Sequence, residues 1–203
     1  MKKYQLTGEL ETALTAYVDD VLSRPIFYIN PTHDSTEYEF SRVLCDPTDQ
    51  TYPGVSDEFI LNHDLNSLNW RKSILDVNVV SKLSEISFPP VAITKQLMEY
   101  VETVTGLKVR SPSGNFLYPK GGFMGWHTNS NAPCYRLYIA YSPIENGSYF
   151  KYIKSDDETK TIVTDWDNKG WTVRLFEITN SSYFWHCVYS PNAPRISFGF
   201  RLD

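Results

Sequence analysis

The chain has 203 residues, 41% of them hydrophobic and 21% charged, with a formal net charge of −5. That length can bury a sizeable core without disulfide or metal staples, and the composition is globular rather than disordered. The acidic balance argues against a broad nucleic-acid-binding face, and no apolar run is long enough to span a bilayer.

Glu9 to Ser23 places Leu10, Leu14, Val18 and Leu22 four residues apart, which predicts an amphipathic helix ending near Pro25. Residues 29–66 are rich in Asp, Asn, Pro, Thr and Tyr and read as long loops with short strands. Pro89-Pro90 then precedes a second helix over Val91–Thr105, carried by Ile93, Leu97, Tyr100 and Val101, with Gly106 as its C-cap. From about Val109 the period changes to two. Strands are predicted over Cys134–Tyr141, Ser148–Ile153, Lys160–Trp166, Trp171–Ile178, Ser182–Tyr189 and Arg195–Leu202. Asn146-Gly147 is a hairpin signal, Asp167–Gly170 a turn, and Ser190–Pro194 a break between the last two strands. An aromatic content of 15% suits such half-buried pleated surfaces. The expected architecture is mainly β with flanking helices (α+β), a β-sandwich or distorted barrel in one domain spanning 1–203. Residues 1–108 would supply helices and loops, and 109–203 the core.

The three cysteines, Cys45, Cys134 and Cys187, have neither Cys-x-x-Cys nor metal-knuckle spacing, and the N-terminus lacks an apolar signal region. Each is expected to be a small core residue, in a protein of the reducing cytoplasm.

The chemistry-bearing residues cluster late. On a strand, His127 and Asn129 would share one face and point into one cavity, with Trp126 and Thr128 on the other. His186 would share a face with Phe184 and Val188, which fits either a hydrogen-bonded core histidine or a ligand. In Arg195–Arg201 the even positions are large and apolar, and the odd ones are polar or small. Arg195 and Ser197 together offer a fork and a hydroxyl suited to a carboxylate; Arg201 is expected on the solvated face of an edge strand. At strand spacing Trp126 and Trp185 read as core rather than as pocket aromatics.

These segments, from Asn115 to Asn129 and from Trp185 to Ser197, resemble the two halves of the signature of the iron(II)/2-oxoglutarate-dependent oxygenases. The family's pattern is His-x-Asp/Glu, a distant His, and an Arg or Lys some nine residues on. His127 and His186 match the metal-binding histidines, Arg195 and Ser197 the 2-oxoglutarate anchor, and Tyr118 a tyrosine that helps hold the co-substrate. Gly147–Phe150 and Gly170–Phe176 resemble core strands between the halves. The resemblance covers roughly residues 90–203. It implies a double-stranded β-helix (jelly-roll, cupin-like) core, iron(II) and 2-oxoglutarate as cofactor and co-substrate, and a hydroxylase-type dioxygenase. Such an enzyme couples decarboxylation of 2-oxoglutarate to oxidation of a small molecule or a protein side chain. The chain departs from the pattern at Asn129, where the family has a carboxylate ligand. Three arrangements follow. Asn129 ligates through its carbonyl oxygen, the position passes to water or halide, or the chemistry is lost and the fold serves as a binding or interaction module. Glu145 and Asp165 are candidates for a replacement anion.

Overall fold

The computed structural model describes residues 1–24, 46–49, 54–62, 81–129, 132–154, 160–179 and 184–203. Cys45 and most of the loop-rich stretch 29–66 lie outside them. The elements in order are β1 (Lys2–Tyr4), α1 (Gly8–Ser23), α2 (Asp57–Leu61), β2 (Ser81–Lys82), β3 (Ser84–Glu85), α3 (Val91–Thr105), β4 (Val109–Tyr118), β5 (Gly122–His127), β6 (Cys134–Ser142), β7 (Tyr149–Ile153), β8 (Ile162–Trp166), β9 (Gly170–Ile178), β10 (His186–Ser190) and β11 (Arg195–Leu202). Both long helices form where the apolar spacing predicts them. α3 stops at Gly106, whose φ of 72° is the left-handed cap that a residue without a Cβ adopts freely. The short α2 was not legible in its polar surroundings. Ser56 caps it, its Oγ accepting from the Phe59 N–H at 3.2 Å.

The strands form two antiparallel sheets, in the orders β1-β9-β6-β11-β4-β3 and β2-β5-β10-β7-β8. From β4 to β11 the chain crosses between sheets at every step except β7 to β8, which pair directly. This is the double-stranded β-helix, in which two four-stranded sheets face one another. Residues before Val109 add more than helices and loops, because β1, β2 and β3 extend both sheets at their edges.

The topology corrects two expectations. Asn146-Gly147 does not close a hairpin; it carries the chain from β6 in one sheet to β7 in the other. Asn146 takes the positive φ (53°) that a tight reversal requires. A Cβ on Gly147 would lie 2.3 Å from Ser142 Oγ. Such a dipeptide signals a reversal, not which strand will pair. Likewise β11 is no edge strand, since β4 and β6 flank it on either side.

Alternation along the strands makes three apolar layers. On the outer face of the larger sheet, Leu14, Val18, Leu97 and Val101 from the helices pack on Leu137, Ile139, Ile196, Phe198 and Phe200. On the outer face of the smaller sheet, Phe59 and Ile60 of α2 cover Phe123, Trp126, Trp185 and Cys187. The third layer, including Tyr118, Phe150, Phe176, Phe184 and Val188, lies between the sheets and borders the polar cavity.

Candidate functional site

His127 ends β5 and His186 begins β10; the two are register partners across the smaller sheet, and their ring centroids lie 4.1 Å apart. Each ring is buried and anchored at Nδ1, to the Gly125 carbonyl oxygen at 2.7 Å and to that of Phe184 at 2.8 Å. A carbonyl only accepts, so each Nδ1 carries the proton and each Nε2 keeps its lone pair. Burial lowers the His127 pKa to about 4, with the Arg136 charge adding to the effect. His186 is pushed well below its usual value by burial, by His127 and by Arg136. Two neutral imidazoles with fixed tautomers are the state in which histidine ligates a metal.

Asn129 reaches this pair by a different route from the one its spacing predicts. It lies beyond the end of β5 with a φ of 55°, so strand alternation does not set its direction. Its Nδ2 donates to His186 Nε2 at 3.2 Å. To offer a metal its carbonyl oxygen, the amide must turn over.

Arg195 and Ser197 line the same cavity from β11, facing the histidines across the gap between the sheets, and Tyr118 lines it from β4. Arg195 is almost fully buried beside its register partner Tyr118, with the guanidinium 5.1 Å from that ring's centroid. Its Nε donates to Asp167 Oδ2 at 3.0 Å, while its buried Nη2 has no hydrogen-bond acceptor among the described residues. A buried donor left unpaired is costly, and a carboxylate in the cavity would satisfy it. The Tyr118 hydroxyl is hydrogen-bonded with Ser197; burial raises its pKa to about 12, so it stays protonated.

Asp167 is the residue that a reading of the sequence misses. It is fully buried and binds Arg174 Nη1 at 2.5 Å and the Ser148 hydroxyl at 2.5 Å as well as Arg195. An Asp at the head of Asp-Asn-Lys-Gly reads as an ordinary turn residue. The available signal was Arg174, a charge flanked by Thr172-Val173 and Leu175-Phe176 in mid-strand, which demands a buried partner. Arg136, nearly buried on β6, was missed for the same reason.

Other expectations sort cleanly. Glu145 accepts the Lys169 backbone N–H at an exposed turn, and Asp165 is bound to Arg174 and Lys3. Neither lines the histidine cavity, so neither replaces the missing carboxylate. Among the described residues no group of three His, Cys, Asp or Glu side chains could hold a metal; the groups that meet at this point are two imidazoles and one amide. Trp126 and Trp185 are core, and so is Cys187; Cys134 is half-buried at the start of β6. Among the described residues no helix is long and apolar enough to cross a membrane.

No protein-family model and no curated protein matches the chain. The chain is similar in structure to solved 2-oxoglutarate/iron(II) oxygenases. A Pseudomonas putida prolyl-4-hydroxylase aligns over 94% of this chain and 99% of its own, at 16% identity and a TM-score of 0.44. A prolyl hydroxylase from Trichoplax adhaerens, solved with a hypoxia-inducible-factor peptide, covers 96% and 90% at 16% identity and 0.42. An oxidoreductase of the 2OG-Fe(II) oxygenase family from Burkholderia pseudomallei covers 64% and 70% at 10% identity and 0.42. Likeness at this level carries nothing about chemistry, for which the residues of the cavity must stand alone.

Proposed function

We propose that the chain is an iron(II)- and 2-oxoglutarate-dependent oxygenase of the hydroxylase type. The observation that supports this most is the pairing, in one cavity, of two fixed-tautomer imidazoles with a buried guanidinium that has an unsatisfied donor. His127 and His186 would hold the metal through Nε2, and Asn129 would add its carbonyl oxygen once the amide has turned. Arg195, Ser197 and Tyr118 would hold the distal carboxylate of 2-oxoglutarate. When bound, iron and 2-oxoglutarate supply oxidising power from oxygen, releasing succinate and CO2.

The chain's own residues supply orientation and exclusion. The carbonyls of Gly125 and Phe184 fix the ring directions, and Asp167 fixes the guanidinium. Met124 and Val188 help keep the lining apolar, which strengthens the Arg195–carboxylate contact. The substrate would be a small molecule or a protein side chain.

A second reading is favoured by the neutral donor set. With Asn129 in place of an anion, the chain would be a catalytically impaired member of the fold that acts as a binding or interaction module. Anaerobic titration with iron(II) and 2-oxoglutarate separates the two. A weak visible charge-transfer band that is lost in Arg195→Ala and His186→Ala supports the oxygenase. Absence of both the band and metal binding favours the module.

A further inference from the structure

The inner face of the larger sheet carries a second cationic group that the co-substrate does not use. Arg136 on β6 and Arg201 on β11 are register partners on adjacent strands. The helix-side layer takes Leu137 and Ile139 from β6 and Phe198, Phe200 and Leu202 from β11, so alternation turns both arginines inward. Neither lines the histidine cavity itself, but they flank its lining residue Tyr138, whose hydroxyl lies in the field of both, and the Arg136 charge also reaches His127 and His186.

Neither arginine makes an ion pair with a carboxylate among the described residues, whereas Arg174 and Arg195 share Asp167. Each has a buried Nε with no acceptor among those residues, and Arg136 is only 3% exposed. Arg136 Nη2 donates to the Ala132 carbonyl oxygen at 3.3 Å, ahead of β6. Arg195 is tied to Asp167, which precedes β9. Because β6 and β9 are antiparallel, with Cys134 opposite Ile178 and Ser142 opposite Gly170, these two tethers lie at opposite ends of the sheet.

Two guanidiniums on paired strands, one buried and one half-exposed, with no carboxylate partner among the described residues, form an incomplete site for a planar anion. One diacid cannot serve both ends. From Arg195 to Arg201 the strand runs about 20 Å, and the tethers hold Arg195 and Arg136 towards its opposite ends, out of reach of a single five-carbon diacid. Near the middle of that interval Gly199 leaves open the space in which a Cβ would lie 2.7 Å from Ser113 Oγ and 3.1 Å from the Tyr138 ring. Ser113, the extra residue in a bulge of β4, lines the cavity with a buried hydroxyl that also has no partner among the described residues.

We propose that Arg136 and Arg201 bind the carboxylate of the primary substrate, and that this substrate is a small carboxylic acid. The inference rests on the oxygenase reading in calling the bound acid the substrate and in assigning the Arg195 end to 2-oxoglutarate; that Arg136 and Arg201 bind a carboxylate stands apart from it.

The test is fluorine NMR of trifluoroacetate binding to the full chain in low-chloride buffer, with and without saturating 2-oxoglutarate. The expected result is a bound population that persists with 2-oxoglutarate present and in Arg195→Ala. Arg201→Gln and Arg136→Gln should each weaken it by about tenfold or more, and Arg136→Lys by less. Thermal melting checks each variant; should Arg136→Gln not fold, the half-exposed Arg201 and the charge-retaining Arg136→Lys carry the test. The proposal is overturned if no such population exists, or if Arg201→Gln leaves it unchanged. It is equally overturned if all bound probe is displaced by 2-oxoglutarate and lost in Arg195→Ala. If only the population that 2-oxoglutarate displaces is missing, the co-substrate reading fails and this one stands.

Discussion

Replacing Asp167 by Asn removes the one negative charge that Arg174 and Arg195 share, while keeping nearly the same shape. Both guanidiniums are essentially buried, and Asp167 itself has no exposed surface. Breaking a buried ion pair from one side typically costs about 3–5 kcal/mol, because the remaining charge has no solvent to turn to. For a chain of this size that corresponds to a fall in Tm of about 6–20 °C. The same carboxylate makes a pH prediction. Burial pushes its pKa up, but the Arg195 and Arg174 charges, with hydrogen bonds from Ser148 and Arg174, outweigh burial and hold it at about 2, below its usual 3.8. A depressed carboxylate pKa contributes stability that is fully present above the unfolded value, near pH 4, and is lost as pH falls towards 2. The shift is worth about 2 kcal/mol. Chemical denaturation of both proteins between pH 7 and pH 2 reads both quantities. Asn cannot titrate, so the wild-type advantage should shrink by about 2 kcal/mol between pH 4 and pH 2. A loss under 1 kcal/mol at pH 7, or parallel pH profiles for the two proteins, would refute the view that Asp167 organises this end of the cavity.

Asn129→Asp should tighten iron(II) binding by about tenfold or more, since an anion replaces a neutral donor; anaerobic metal titration reads it, and unchanged affinity would place residue 129 outside the metal's reach. Gly199→Val should cost about 1–3 kcal/mol through contact with Ser113 and Tyr138 and should abolish trifluoroacetate binding at the Arg201 end, checked by denaturation and fluorine NMR. Phe198→Ala should cost about 3–5 kcal/mol, because this fully buried ring packs against Tyr17, Phe88 and Trp171; a loss below 1 kcal/mol would mean that α1 contributes little to holding the larger sheet.

How far the molecule could be read in advance depended on whether the controlling interaction was local. Leu14 and Val18, or Leu97 and Val101, announce their helices because their spacing alone decides which face is buried. The alternation in Arg195–Leu202 likewise separates an apolar face from a polar one. The same alternation cannot say whether the polar face meets water or another sheet. The solvated edge expected for Arg201 is therefore not what forms, since β11 lies between β4 and β6. Asp167 and Arg136 were invisible for a related reason. Arg174 is near Asp167 in sequence, but Arg195 is brought to Asp167, and Arg201 to Arg136, by the crossing between sheets rather than by the sequence around them.

Asn129 carries this point into the chemistry. Its spacing from His127 suggested that two side chains on one strand face converge, but the strand ends at His127 and the contact with His186 comes from a left-handed backbone beyond it. Asn adopts that conformation more readily than most residues, and so does Asp. A carboxylate at position 129 would therefore be tolerated by the backbone. In the metal-free site its charge would face an unprotonated Nε2 lone pair instead of donating to it. The amide thus satisfies His186 without metal, whereas a carboxylate would need the metal or a proton to do so. Asn129→Asp should accordingly lower the stability of the metal-free protein and raise that of the iron-loaded one. A Tm that moves in the same direction in both states would show that residue 129 does not distinguish them.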